Sequence, residues 1–220
     1  MARMNRSVES EHVQARKSRD SGDWRGSPPI LSGDRVTLRE LIASDAQFLV
    51  AMLSTEEVSR FIDPAPENVR DFEQFIAWTQ RERAAGRHMC FGLIPAGERE
   101  PVGIIQIWRL DPSFGTAEWG FVVGAPYWGT GLFIEAAGLV LDFVFGRVGV
   151  RRVEGRAAAP NGRGNGALRK LGAVSEGVLR KCFPCHGQEL DHVMWSILAD
   201  DWREWKAQSR RLDADRKWVS

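Results

Sequence analysis

The chain has 220 residues, 43% hydrophobic and 27% charged, a composition that excludes a fibrous or wholly disordered protein and suits one domain with tails. Thirty Lys and Arg against 29 Asp and Glu leave a net charge of +1, so no global field draws the chain to nucleic acid or an anionic membrane, and neither is an expected partner. Three cysteines do not make a disulfide framework and point to a reducing, cytoplasmic compartment.

Residues 1–29 mix Arg, Ser, Glu and Asp with few apolar positions and read as a disordered tail without the apolar run of a secretory signal. No stretch reaches the ~18 apolar residues of a membrane span. A domain is expected over 30–205, followed by a frayed tail over 206–220. Arg35 to Leu41 alternates as a strand, and Ser44 with Asp45 offers an N-cap to a helix ending near Leu53. Phe72, Phe75, Ile76 and Thr79 recur at helical spacing within a second helix, Val69 to Ala85, closed by Gly86. Met89 to Ile94 and Val102 to Trp108 form a hairpin, and Gly115 to Gly124 is a further strand. Then the period changes. Ile134, Ala137, Gly138, Leu141, Val144 and Phe145 make a helix stripe, Arg152 to Ala157 a strand and Asn165 to Leu171 a short helix. Ala173 to Cys182 and Leu190 to Leu198 form a last hairpin, and Asp200 and Asp201 cap a short helix through Trp202 and Trp205. Early hairpins and a late strand-helix-strand unit predict a mixed sheet covered by helices, an α/β class.

Chemistry concentrates between Gly124 and Ala137, where a strand feeds a glycine-rich turn that opens a helix. Such a turn aims backbone N–H groups and a positive helix end at one point, which suits a diphosphate; the alternative is an ordinary helix start eased by glycines. Thr130 stands where a nucleotide P-loop needs its lysine, which excludes that kinase or ATPase reading. The Gly129-Thr130-Gly131 run also lacks the third glycine and the early position of a dinucleotide fingerprint.

The segment Tyr127-Trp128-Gly129-Thr130-Gly131-Leu132-Phe133-Ile134-Glu135-Ala136 resembles the acetyl-CoA loop of the GNAT acetyltransferase superfamily, in particular the RimJ/RimL-type branch that acetylates ribosomal protein N-termini. Asn161 to Gly172 resembles that branch's Asn-x-x-Ser and Glu-Lys-Leu-Gly motif, and Glu176-Gly177 with Arg180, Asp191 and the ending Trp195 to Trp202 also match, so the likeness spans about Leu31 to Trp205. The resemblance implies a central mixed, mostly antiparallel sheet flanked by helices. It implies acetyl-CoA as cosubstrate, no metal, and an amine acceptor that is a peptide N-terminus or a small molecule. It also implies that Trp128, Gly129, Thr130, Gly131 and Leu132 hold the CoA pyrophosphate, that Phe121, Val122 and Val123 pair with the pantetheine arm as an added strand would, and that Asn161 bonds that arm. Two positions depart from the motif: Gly164 replaces the serine, with Asn165 beside it as a possible substitute, and Arg169 replaces the glutamate.

Alternation puts Glu118, Gly120 and Val122 on one strand face and makes Glu118 the candidate catalytic base, with a solvated strand carboxylate as the alternative. An N–H near Val122 can polarise the thioester if the strand parts from its neighbour there. The single tyrosine, Tyr127, lies in the cofactor loop, so the late-helix tyrosine acid of many relatives is absent and water is left to protonate the thiolate. Glu135 is expected to complement the positive helix end. Cys182, Cys185, His186 and His192 are the only ligand-like cluster, scattered by hairpin alternation rather than gathered as a metal site. Trp78, Trp108 and Trp195 fall at core-like positions, while Trp119 and Trp128 flank the expected cleft. A non-catalytic acyl-CoA-binding module and an antibiotic or polyamine acetyltransferase are the rival readings. Monomer and homodimer are both compatible with the sequence.

Overall fold

Strand alternation sorts the apolar side chains onto two faces of one sheet, and each face has its own helices. The structure, a computed structural model, describes residues 24–217, so the expected N-terminal tail up to position 23 lies outside the described residues. The strands are β1 (Leu31–Ser32), β2 (Val36–Glu40), β3 (His88–Pro95), β4 (Gly103–Arg109), β5 (Thr116–Val123), β6 (Arg152–Ala158), β7 (Val174–Cys185) and β8 (Gln188–Leu198). The helices are α1 (Ala46–Leu53), α2 (Glu56–Ser59), α3 (Val69–Ala84), α4 (Leu132–Phe143), α5 (Gly162–Lys170) and α6 (Ala199–Lys217). The sheet order is β1-β2-β3-β4-β5-β6-β8-β7, antiparallel throughout except for β5 beside β6, which the α4 crossover makes parallel. The mixed, mostly antiparallel sheet is thus as expected.

On the first face Phe91, Ile105, Ile107, Ala117 and Trp119 pack with Ala137, Val140 and Leu141 of α4 and with Trp202 of α6. On the second, Cys90 and Ile104 meet Leu49 of α1 and Phe72 and Ile76 of α3. Each such buried aliphatic side chain contributes about 1.5–3 kcal/mol relative to exposure. Helix α3 starts where Asn68 accepts a hydrogen bond from Asp71 N (3.1 Å) and stops before Gly86, at φ +69°. Asp45 does not cap α1 with its side chain. It instead accepts from Ile42 N (2.8 Å) and pairs with both guanidinium nitrogens of Arg39 (2.7 and 2.9 Å).

Both expected domain limits move outward. Trp24 is 5% exposed and packs beside Phe114 at 5.6 Å between ring centroids, so the packed unit begins upstream of Ile30. Helix α6 continues through the expected tail to Lys217, because no Gly or Pro interrupts its run of helix-forming residues. The last hairpin is longer than expected. Its turn is His186-Gly187, both at positive φ (47° and 78°), the backbone that a two-residue turn needs.

The β5–β6 ladder runs from Thr116 opposite Arg152 to Trp119 opposite Gly155 and ends there. Beyond it, β5 stays with β4 as far as Val123 opposite Gly103, and β6 stays with β8 as far as Ala158 opposite His192. A wedge opens between them. Buried Asn165 of α5 fixes its far wall: its amide nitrogen donates to Ala158 O (2.9 Å) and Asn161 O (2.8 Å), and its oxygen accepts from Trp195 Nε1 (2.9 Å). The side chain expected to meet the cofactor is therefore committed to the protein itself. Asn165→Ala should lower stability by about 1–3 kcal/mol, read as a fall in denaturant midpoint, because it strands the buried Trp195 indole N–H, while Ala158 O keeps its bond from Asn161 N (2.8 Å). A loss of CoA affinity with unchanged stability would return Asn165 to the ligand.

Candidate active site

Backbone direction along β5 follows from two bonds at its ends. Leu110 N donates to Thr116 O (2.9 Å) and Gly124 N donates to Val102 O (2.8 Å), so the even-numbered residues of β5 turn their main-chain groups toward β4. Odd-numbered residues turn theirs toward β6. Past Trp119 no strand faces them, which leaves Phe121 and Val123 with main-chain groups directed into the wedge. Val122 differs from the expectation: its N–H and C=O are used by β4, so the donors nearest to it belong to Phe121 and Val123. Trp128 Nε1 donates to Val123 O (2.7 Å) and takes up one of these groups.

The loop after β5 is shaped by two left-handed residues, Gly129 at φ +76° and Gly131 at φ +85°, a conformation costly for residues with a Cβ. No side chain caps α4 at Gly131, and Leu132 N has only a long bond to Thr130 Oγ1 (3.3 Å). The amides of Leu132, Phe133 and Ile134 thus point out of the first turn, the arrangement that holds an anion. A Cβ at Gly129 would meet nothing within 4 Å, so the loop is open on that side. Glu135 does not answer these amides. Its carboxylate accepts from Asp34 N (2.5 Å) and Arg35 N (3.1 Å), which locks the β1–β2 turn to α4 over Gly33, where a side chain would overlap it. Arg35 in turn donates to Thr130 O (3.0 Å) and brings a cation against the cradle.

Asn161 closes the opposite wall. As N-cap of α5 it accepts from Gly164 N (2.8 Å), and a Cβ on Gly164 would come within 2.8 Å of its amide nitrogen. The glycine that breaks the motif lets Asn161 fold back over the helix start. Arg163 stacks on Trp128 at 3.5 Å and so spans from α5 to the loop.

Glu118 lies on the second face, its side chain 14% exposed, with Arg156 Nε 3.6 Å from its carboxylate. Burial pushes its carboxyl above the ordinary range, partly offset by the Arg156 charge and the indole N–H of Trp108. It is a partly desolvated carboxylate rather than a solvated strand residue. Tyr127 is occupied elsewhere, its single O–H shared between the two oxygens of Glu98 (3.0 and 3.1 Å).

Other expectations change with the geometry. Trp119 is core, 2% exposed, its indole lying where a Cβ on Gly155 would stand. Trp78 is 43% exposed and Trp108 half-buried, so of the three expected core tryptophans only Trp195 is one. Cys185 and His186 tie the hairpin tip to the segment after α2, through Sγ to Arg60 O (3.5 Å) and His186 N to Asp63 (2.9 Å), while Cys182 is exposed. Arg35 and Trp108 carry no motif, and only their places beside the loop and Glu118 reveal them.

The family model for the acetyltransferase (GNAT) domain matches residues 35–174. The Bacillus subtilis (strain 168) protein named Uncharacterized N-acetyltransferase YoaA is 30% identical over 173 residues, 77% of this chain and 97% of that one. The Escherichia coli (strain K12) [Ribosomal protein uS5]-alanine N-acetyltransferase is 26% identical over 118 residues, 53% of this chain and 61% of that one. Among solved structures, Mycobacterium smegmatis RimJ in complex with CoA-disulfide superposes with a TM-score of 0.73 at 21% identity, covering 84% of this chain and 97% of that one, a likeness of fold. The chain belongs to the GNAT family of N-acetyltransferases.

Proposed function

We propose that the protein transfers an acetyl group from acetyl-CoA directly to a primary amine within a ternary complex. The observation that carries this reading is the juxtaposition of the unpaired β5 edge, the uncapped start of α4 at one end of it, and Glu118 on the sheet face at the other. Gly129 to Ile134 hold the pyrophosphate with their main chain, with Arg35 adding positive charge. Phe121 and Val123 bond the pantetheine amides as a partner strand would, and Asn161 offers its amide nitrogen from the other wall. The N–H of Phe121, the first beyond the last β5–β6 pair to face away from β4, polarises the thioester carbonyl.

Glu118 takes the proton of the amine as its nitrogen attacks the thioester carbon. The C–N bond forms, the C–S bond breaks, and solvent protonates the departing thiolate, since Tyr127 is held by Glu98. The acceptor is a protein N-terminus or a small amine. The three unpaired cysteines support a cytoplasmic setting. The alternative, a binding module without turnover, predicts CoA affinity but no thiol release with any amine, so a thiol-release screen over peptides and small amines separates the two.

Glu118→Gln should cut turnover by about 10²-fold with CoA affinity retained; unchanged turnover removes the base assignment. The base must be charged to act and its folded pKa is raised, so kcat/KM should fall with acid at a pH above the ordinary carboxylate range. Arg156→Met removes a cation that favours the charged form and should move that acid limb to higher pH; a shift to lower pH contradicts the site. Gly129→Asp and Gly129→Asn both tolerate left-handed backbone, but the aspartate should weaken CoA binding at least about tenfold more, read by calorimetry. Equal affinities would remove the anion from this loop.

A further inference from the structure

Trp108 of β4 stands directly opposite Glu118 of β5. Even-numbered residues of β5 turn their main-chain groups toward β4, so the two residues exchange main-chain bonds and carry their side chains on one face. Cβ atoms in such a pair lie about 5 Å apart, and an aromatic side chain also reaches the diagonal neighbour on the facing strand. That neighbour is Gly120. The six-membered ring of Trp108 lies across it, with Cη2 3.2 Å and Cζ3 3.4 Å from where a Cβ would stand. The indole N–H is directed at the Glu118 carboxylate.

Gly120 is not left-handed, so the backbone there does not call for glycine; what the glycine supplies is room. Its place in the sheet is particular, between Trp119, where the β5–β6 ladder ends, and Phe121, whose main-chain groups face the wedge. On the other side of Trp108 the opposite residue is His88 of β3, buried at 2% exposure, with ring centroids 6.3 Å apart. The Trp108 ring also borders a pocket of about 450 Å³ that Trp78 and Gln106 help to line, so its orientation depends on His88 and Gly120 rather than on packing all round. From β6, Arg156 Nε lies 3.6 Å from the Glu118 carboxylate, and Glu154 stands opposite Glu118 with its own carboxylate bonded to Arg152 (2.8 Å). At 3.6 Å, on a side chain 41% exposed, Arg156 attracts the Glu118 carboxylate without fixing its direction. A donor on a wedged ring does fix it.

We propose that Trp108 is the positioning residue of the base: laid across a glycine that leaves it room, its indole holds the Glu118 carboxylate at the closed end of the wedge, beside the Phe121 N–H assigned to the thioester. The proposal rests on the transfer reading above and names what aims its base. Gly120 is then the gap that admits the ring, and a side chain there displaces the donor with it.

The titration of the Glu118 carboxyl, followed by carbon NMR on the full chain, tests this without any acceptor. A donated N–H favours the charged carboxylate, so Trp108→Phe, which keeps a ring and removes the donor, should move the titration to higher pH by about three- to tenfold in proton affinity. Gly120→Ala should move it the same way in the presence of Trp108 and not at all in the Trp108→Ala background. CoA affinity, read by calorimetry, should be kept in each variant. Trp108→Phe and Gly120→Ala each carry the test alone if another variant does not fold. A titration unmoved in Trp108→Phe, or moved equally by Gly120→Ala with and without Trp108, overturns the proposal. An unmoved titration while Glu118→Gln still stops thiol release from peptides and small amines removes Trp108 and leaves the base. A titration that moves while Glu118→Gln leaves thiol release unchanged supports the contact and removes the base.

Discussion

Strand pairing that stops at Trp119 and Gly155 leaves a short length of β5 with a neighbour on one side only, and a half-buried edge of this kind must find partners for its N–H and C=O groups. Both flanking ladders prevent the gap from closing. β5 is held by β4 through Val123, and β6 by β8 through Ala158, whose carbonyl is also gripped by Asn165. Trp128 satisfies the carbonyl of Val123. What remains is a ready edge for an extended, amide-bearing chain, and the cradle, the Asn161 wall and the Glu118 face are all arranged around it.

A protein with a net charge of +1 must build its anion site locally. In the proposed reading it does so with an uncapped helix start, two left-handed glycines and Arg35, while the one carboxylate in the first turn of α4, Glu135, is turned away to bind the β1–β2 turn. The same glutamate therefore serves two ends: it anchors the hairpin that carries Arg35, and it leaves the helix amides to an external anion.

Much of this was legible in the sequence, for reasons that differ by element. Alternation along β5 sorted its two faces, and the glycine-rich turn before a helix announced the left-handed bend and the uncapped start of α4, because left-handed backbone leaves a composition signature. Asn165 misled because Asn161, one turn earlier, carries the motif position, whereas its own amide is spent on Ala158 and Asn161 of the preceding turn and on Trp195 of β8, a pairing that only the folded sheet brings about. Trp78 and Trp108 sit at periodic positions like core residues, and periodicity does not tell a covered face from one that a pocket interrupts. The backbone direction of Val122 is set by ladder register, which a single strand does not encode. His186-Gly187 turns the last hairpin without the Asn-Gly or Asp-Gly pair that marks such turns.

The wedge is tested most directly by amide hydrogen exchange, residue by residue, with and without CoA. The Phe121 and Val123 amides should exchange readily in the free protein and slow markedly when CoA is added, while Val122, already bonded to β4, stays slow in both states. Bound CoA that leaves Phe121 and Val123 unprotected, or that protects Val122 in their place, would contradict the account.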